Sequence, residues 1–253
     1  MESMKLPTKL GKEPLIDAVF ELRFSSNTAA SNILPGALFA LLVQDGQGVS
    51  VEKLPLSQIP ESVRRADPNL QFAPVVKLNW QCYALLISDG SIGVSCNMPY
   101  PGWLAFREAI SKVVAAVAKV GIINSLDRYS AKYVDIVPIP DIQSQVQGLN
   151  LQLRIGGHEL KSEVASVRIE VPRGAFLHLV SIQTGALVEI AGRPRIEGVV
   201  VDVDSVCKTP ELQLSQFIDE MTIRLDDIHM ENKAMFFECL TPNTVTALEP
   251  HYE

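Results

Sequence analysis

The 253-residue chain lacks any apolar run long enough to cross a bilayer, which takes roughly 20 residues; its longest, within LPGALFALLV, is far shorter. The opening MESMKLPTKLGKEPL lacks the apolar centre of a signal peptide. A cytosolic protein without a membrane partner is expected. Positive charge is also scarce. Twenty-two Lys and Arg stand against 29 Asp and Glu, for a net charge of -7 and a pI near 5.2. The basic residues are scattered: Lys5, Lys9 and Lys12 near the start, Arg64 and Arg65 together, Arg193 and Arg195 around Pro194. No basic stripe could release many counterions, which argues against a nucleic-acid partner. The four cysteines, Cys82, Cys96, Cys207 and Cys239, form neither CxxC nor a Cys/His zinc spacing, so they read as small buried hydrophobes with no disulfide. GxGxxG, the P-loop and the GxSxG elbow are all missing. Gly46-Gln47-Gly48 and Gly156-Gly157 read as loop punctuation. No cofactor and no metal are implied.

Aliphatic residues are abundant. The chain is 47% hydrophobic and only 20% charged, with a mean hydropathy of +0.17. That is enough to bury a large core or to leave some apolar surface for a partner. EPLIDAVFELRF (13–24) alternates, with Ile16, Ala18, Phe20, Leu22 and Phe24 on one face and Asp17, Glu21 and Arg23 on the other, the period of a half-buried strand. SSNTAASN then reads as a polar break. Pro35 is expected to start a short helix, ALFALLVQ, that is apolar nearly all round, sits between layers or against a partner, and stops at Asp45-Gly46. Pro55, Pro60, Pro68 and Pro74 preclude a long element over 55–74 and mark a structured excursion.

Residues 75–98 read as a hairpin turning at Asp89-Gly90 in a type I′ turn, with Cys82 facing Asn97 and Cys96 facing Tyr83. A helix is expected from about Pro101 to Val120, with Trp103, Phe106, Ile110, Val113, Val114 and Val117 on one face, ending at Gly121. RYSAKYVDIVPIP (128–140) returns as a strand. From Ile142 onward, LNLQLRI, SVRIEV, FLHLVSIQ and VEIAGRPRIEGVVVDVDSV read as a four-stranded antiparallel meander. A helix capped by Thr209 with Pro210 in its first turn follows, its stripe being Leu214, Phe217, Ile218, Met221, Leu225 and Ile228, and ENKAMFFECL adds a last turn or two. Strands followed by helices make the expected class α+β, antiparallel meanders packed on long amphipathic helices, with possible halves 1–141 and 142–253.

Candidate chemistry is sparse. Asp202 and Asp204 share one strand face, as in some magnesium sites, yet two carboxylates also supply an ordinary polar face. His158-Glu159 after Gly-Gly reads as a polar turn. His178 in FLHLVSI is expected at the surface; turned inward, it would need a partner. His229 reads as a cap near a helix C-terminus. Glu21 and Arg23 could pair with each other or with Glu238 and Lys132. These residues form no convergent catalytic set.

Three segments carry a resemblance. PLIDAVFELRF, RYSAKYVDIVPIP and IHMENKAMFFECLTP resemble the recurrent blocks of a sporadically distributed, uncharacterised prokaryotic protein family of about 250 residues. The opening block of that family reads like EAVFEIRF, its middle like R-x-x-L-R-Y-I-N-x-I, and its end like a helix closing on F-E-x-x-I-T. Ala18, Val19, Phe20, Glu21, Arg23 and Phe24 match the first; Phe237, Glu238 and Thr241 match the last. The middle departs, with Ser130, Ala131 and Lys132 before Tyr133 and Asp135 near the family's Asn. The resemblance implies one evolutionary unit over 1–253 and no catalytic residue. Its patchy distribution is similar to that of toxin partners, immunity factors and phage-defence components. The layout also resembles, at fold level, export chaperones and chaperone-antitoxins. The expected function is a non-enzymatic protein-binding factor whose partner is another protein or a second copy. The rival is an enzyme or small-ligand binder with a site beneath 55–74.

Overall fold

The computed structural model describes residues 5–43, 48–189 and 195–252. The expected helix stop at Asp45-Gly46 and the Arg193-Pro194 stretch lie outside the described residues. The chain runs β1 (Lys9–Leu10), β2 (Leu15–Ser26), α1 (Ala30–Val43), β3 (Val49–Lys53), a 3-10 turn (Pro55–Gln58), α2 (Glu61–Ala66), β4 (Val76–Trp80), β5 (Tyr83–Ile87), β6 (Ser91–Cys96) and α3 (Trp103–Val120). It continues through β7 (Ile123–Pro138), α4 (Ile142–Gln147), β8 (Arg154–Ile155), β9 (His158–Glu159), β10 (Ser166–Arg173), β11 (Phe176–Val188) and β12 (Ile196–Leu212). It closes with α5 (Leu214–Asp219), α6 (Met221–Glu238), α7 (Pro242–Ala247) and β13 (Pro250–His251). The class is α+β. The large sheet has the strand order β10-β11-β12-β7-β2-β6-β5-β4-β3. The chain divides into two compact units: residues 1–16, 132–205 and 229–253 form one, 17–131 and 206–228 the other. This is not a division near 141, because β2, β7, β12 and α6 each give residues to both units.

In the unit of 17–131 and 206–228, the opening strand behaves as its alternation predicts: Ala18, Phe20, Leu22 and Phe24 are buried. β2 pairs with β6 (Phe20↔Val94), and antiparallel ladders then join β6, β5, β4 and β3 in turn. The hairpin has the expected register, with Tyr83 opposite Cys96 and the Asn97 N–H donating to the Cys82 carbonyl at 2.8 Å. Its turn differs. Neither Asp89 nor Gly90 has a positive φ, so it is not type I′. Ser88 and Ser91 close it instead through a backbone bond and a 2.8 Å contact between their hydroxyls. Cys96 and Cys207 are buried and Cys239 partly so, whereas Cys82, beside the tight β4–β5 turn, is exposed; all four are free.

α3 buries Phe106, Ile110, Val113, Val114 and Val117, and Gly121 caps it at φ 72°, where a side chain would be strained. α1 starts five residues before Pro35. Its first turn is held by the Ala30 N–H, which donates to the distant Asp89 carbonyl, and by the Asn32 N–H, which donates to that of the preceding Ala29 (both 3.0 Å). Pro35 is thus accommodated inside the helix, forfeiting one bond. Leu34, Leu38 and Leu42 form its buried stripe. Thr209 and Pro210 do not start a helix. Thr209 extends the buried face of β12 beyond Ser205 and Cys207, Glu211 turns the chain at φ 63°, and α5 begins only at Leu214. Phe217, Leu225 and Ile228 are fully buried as expected.

In the unit of 1–16, 132–205 and 229–253, Val180, Ile182, Val199, Val201 and Val203 pack against Met235, Phe236, Phe237 and Leu240 of the α6 end. ENKAMFFE is part of α6 itself. β10 and β11 pair from Ser166↔Gln183 to Arg173↔Phe176. LNLQLRI does not join them. Its backbone is engaged elsewhere: the Leu149 N–H donates to the Val146 carbonyl of α4 (3.2 Å), and the Asn150 N–H donates to the Cys239 carbonyl (2.8 Å). Only Arg154–Ile155 is strand, in a hairpin with β9. β12 approaches β7 so closely at Gly198 that a Cβ there would overlap the Val137 carbonyl.

Candidate functional site

Most of the sequence-predicted chemical residues fall in the first of these units. β11 alternates inward at His178, Val180 and Ile182, so His178 is buried, contrary to the surface expectation. The signal was present in the alternation of its apolar neighbours. Asn232 donates its amide to the Val203 carbonyl (2.8 Å) and the Ser205 Oγ (2.9 Å). The Ser205 hydroxyl in turn shares a 2.8 Å hydrogen bond with His178 Nδ1. Nε2 lies 3.9 Å from Glu231 Oε2, beyond hydrogen-bond reach. Burial, aided by Arg173 and opposed by Glu238, pushes the imidazole pKa down, so it is neutral at pH 7. Hydroxyl, imidazole and carboxylate thus stand in relay order. However, His178 and Ser205 are both 0% exposed and the Oγ is already engaged, so no external carbonyl can reach it. The network secures α6 to β11 and β12.

Asp135 is buried on β7. Burial raises its carboxyl well above the usual range, and Glu13 and Asp202 raise it further. Burial likewise raises Glu13 against the pull of Lys233 and Lys9, and lowers Lys233 against that of Glu13. Asp202 pairs with Lys132 Nζ at 2.9 Å, and Asp204 shares its strand face. Among the described residues no group of three or more His, Cys, Asp or Glu is placed to hold a metal. His158 is exposed on β9 with Nε2 3.0 Å from Glu163. The Lys161 and Ser162 N–H groups hold the Glu163 carboxyl down to about 2. His229 is no cap: α6 continues past it to Glu238, and its Nδ1 lies 3.1 Å from the Tyr133 hydroxyl. A groove of about 570 Å³ is lined by Lys12, Ser144, Gly148, Thr241, Asn243 and Thr244 among others. Its one ionisable residue, Lys12, pairs with Glu249 at 3.1 Å.

In the other unit, Glu21 accepts from Arg23 (2.7 Å) and Arg128 (3.0 Å). Glu238 instead holds Arg173, and Lys132 holds Asp202. The Pro-rich segment is anchored by Arg64, which grips Asp89 with two bonds of 2.9 Å and also donates to the Ile59 carbonyl. Phe72 lies under the Arg23 guanidinium, 4.1 Å from its centre.

No protein-family model matches the chain, and no curated protein matches its sequence. The site must be read from geometry.

The unusual surface is that of α1 and β3. α1 has 14 residues and no charge. It packs on β3, β4, β5 and α3 through its leucines and leaves Ile33, Phe39 (40% exposed) and Val43 outward. β3 ends the sheet order. The Leu54 N–H donates to the Val75 carbonyl (2.9 Å), so the alternating antiparallel pattern directs Ser50 and Glu52 to β4, while the N–H and C=O groups of Val49, Val51 and Lys53 point off the sheet. Val51 is 48% exposed. The alternation of VSVEK signals this strand, although its five residues are too few to stand out beside the prolines that follow.

Proposed function

We propose that the chain is a non-enzymatic cytoplasmic protein-binding factor that engages its partner through the outer face of α1 and the β3 edge. One observation carries the reading: an uncharged helix presents Phe39 beside a strand with unpaired backbone groups, in a protein of net charge -7. The family resemblance and its distribution support an accessory role of the chaperone-like, antitoxin, immunity or phage-defence kind. The rival ligand-site reading draws no support from 55–74, where Arg64 and Phe72 are occupied by structural contacts.

Phe39→Asp tests the proposal. Burying the exposed part of the ring, about 80 Å² at roughly 25 cal/mol/Å², contributes about 2 kcal/mol. The variant should therefore weaken binding to a partner captured from the host and repurified by about 30-fold, with its melting temperature close to wild type. Undiminished binding by a folded Phe39→Asp would refute the surface.

A further inference from the structure

We infer that the β3 edge pairs with the β3 edge of a second copy of this chain, in an antiparallel ladder with its two-fold axis at Val51. This rests on reading α1 and β3 as a binding surface, and it names the occupant.

The two edges of the large sheet differ in what they offer. β10 forms the opposite edge. The Thr184 N–H donates to the Ala165 carbonyl (3.0 Å), so odd-numbered residues bond β11, while Ser166, Arg168, Glu170 and Pro172 face outward. Two charges and a proline without an N–H make that edge a poor template for another strand. β3 also carries two charges, Glu52 and Lys53, but no proline. Its outward residues, Val49, Val51 and Lys53, all carry N–H donors, and among the described residues none of these groups is bonded.

Self-pairing uses this set completely. With the axis at Val51, Val51 meets Val51 of the second copy, and Val49 and Lys53 meet each other. These are three outward pairs, each exchanging two N–H···O bonds. On the other face Ser50 meets Glu52, so no like charges stand opposite each other. An axis at Glu52 would oppose two glutamates; an axis at Ser50 would leave Lys53 beyond the ladder. The patch suits a second copy electrostatically as well. α1 is uncharged, and β3 carries one Glu and one Lys, so two molecules of net charge -7 meet where neither is charged overall.

Val51→Pro is a selective probe, because among the described residues the Val51 N–H has no bond. Sedimentation of the full chain should give twice 27.7 kDa at micromolar concentration. Val51→Pro should weaken that dimer by at least about 30-fold, through loss of both axial donors, with little change in melting temperature. In a Cys82→Ser background, which removes the exposed thiol, Val51→Cys should oxidise to a covalent dimer and Ser50→Cys should not. A wild type that is monomeric at 100 micromolar concentration, or a dimer indifferent to Val51→Pro, overturns the inference. If the wild type is monomeric but Phe39→Asp still abolishes capture of a different protein, self-pairing falls and the binding surface stands. If neither effect is seen, both fall.

Discussion

Replacing Asp89 by alanine should destabilise the protein by about 4 kcal/mol. Its carboxylate accepts two 2.9 Å bonds from Arg64 and a third from the Ser31 hydroxyl, and the ion pair is nearly dry, with side chains 7% and 4% exposed. Removing one member of a buried pair strands the other's charge, which costs about 3–5 kcal/mol; the lost acceptor for Ser31 adds roughly 1, and water entering the vacated space offsets part. Since 1 kcal/mol shifts the melting temperature by about 2–4 °C at this chain length, the expected fall is about 8–16 °C. Arg64→Met/Asp89→Ala, which leaves no stranded charge, should recover at least about 2 kcal/mol of the loss. Burial alone would raise the Asp89 pKa, but the bonds from Arg64 and Ser31 outweigh it and the value is lowered. A depressed carboxylate stabilises the fold above its unfolded value near 3.8 and loses that contribution as pH falls through the folded value. The gap between wild type and Asp89→Ala should therefore be constant from pH 8 to about 5 and close only in stronger acid. Urea titration followed by circular dichroism measures the stabilities, and trypsin cleavage at Arg64 and Arg65 reports release of the segment. A loss under 1 kcal/mol, or a double variant no more stable than Asp89→Ala, would refute the reasoning.

Two further outcomes concern the buried groups of the other unit. His178 is depressed from 6.5, so the unfolded chain takes up the proton first, and stability should fall as pH drops below about 6.5; in His178→Asn, whose amide can still hydrogen-bond Ser205, the urea midpoint should depend less on pH between 7 and 5. Asp135 has a raised pKa, so its ionisation weakens the folded state as pH rises above 3.8; Asp135→Asn should have a higher urea midpoint than wild type at pH 7, with the advantage shrinking toward pH 3.8, and an equal or lower midpoint at pH 7 would count against the described burial.

Features governed by neighbours in sequence were legible. The period-two face of Ala18 to Phe24, the register from Tyr83 to Cys96 and the stripe of α3 with Gly121 behind it all depend on local spacing and turn chemistry. Distant partners undid other expectations. Pro35 looked like a helix start because nothing local shows that Asp89 supplies the first turn of α1 with an acceptor. Thr209-Pro210 has the chemistry of a helix cap, yet burial of Thr209 keeps it in β12. Leu149, Leu151 and Leu153 alternate like a strand, but α4 and the end of α6 engage the backbone there. The apolar character of α1 was plain and pointed to a partner or an inner layer. That it borders a strand edge with outward-pointing backbone groups depends on which of β3's groups face β4, which only the ladder register decides.

The pairing of β1 with β13 also constrains synthesis. Thr8 donates its hydroxyl to the carbonyl of His251, 243 residues later, and Lys9 and Leu10 align with His251 and Pro250. At roughly 5–20 residues per second, a ribosome needs about 12–50 s to cover that distance. Throughout that interval the first strand waits without its mate. The β1–β13 pairing can form only after Pro250 and His251 have emerged, which leaves a long window for a nascent-chain chaperone to bind.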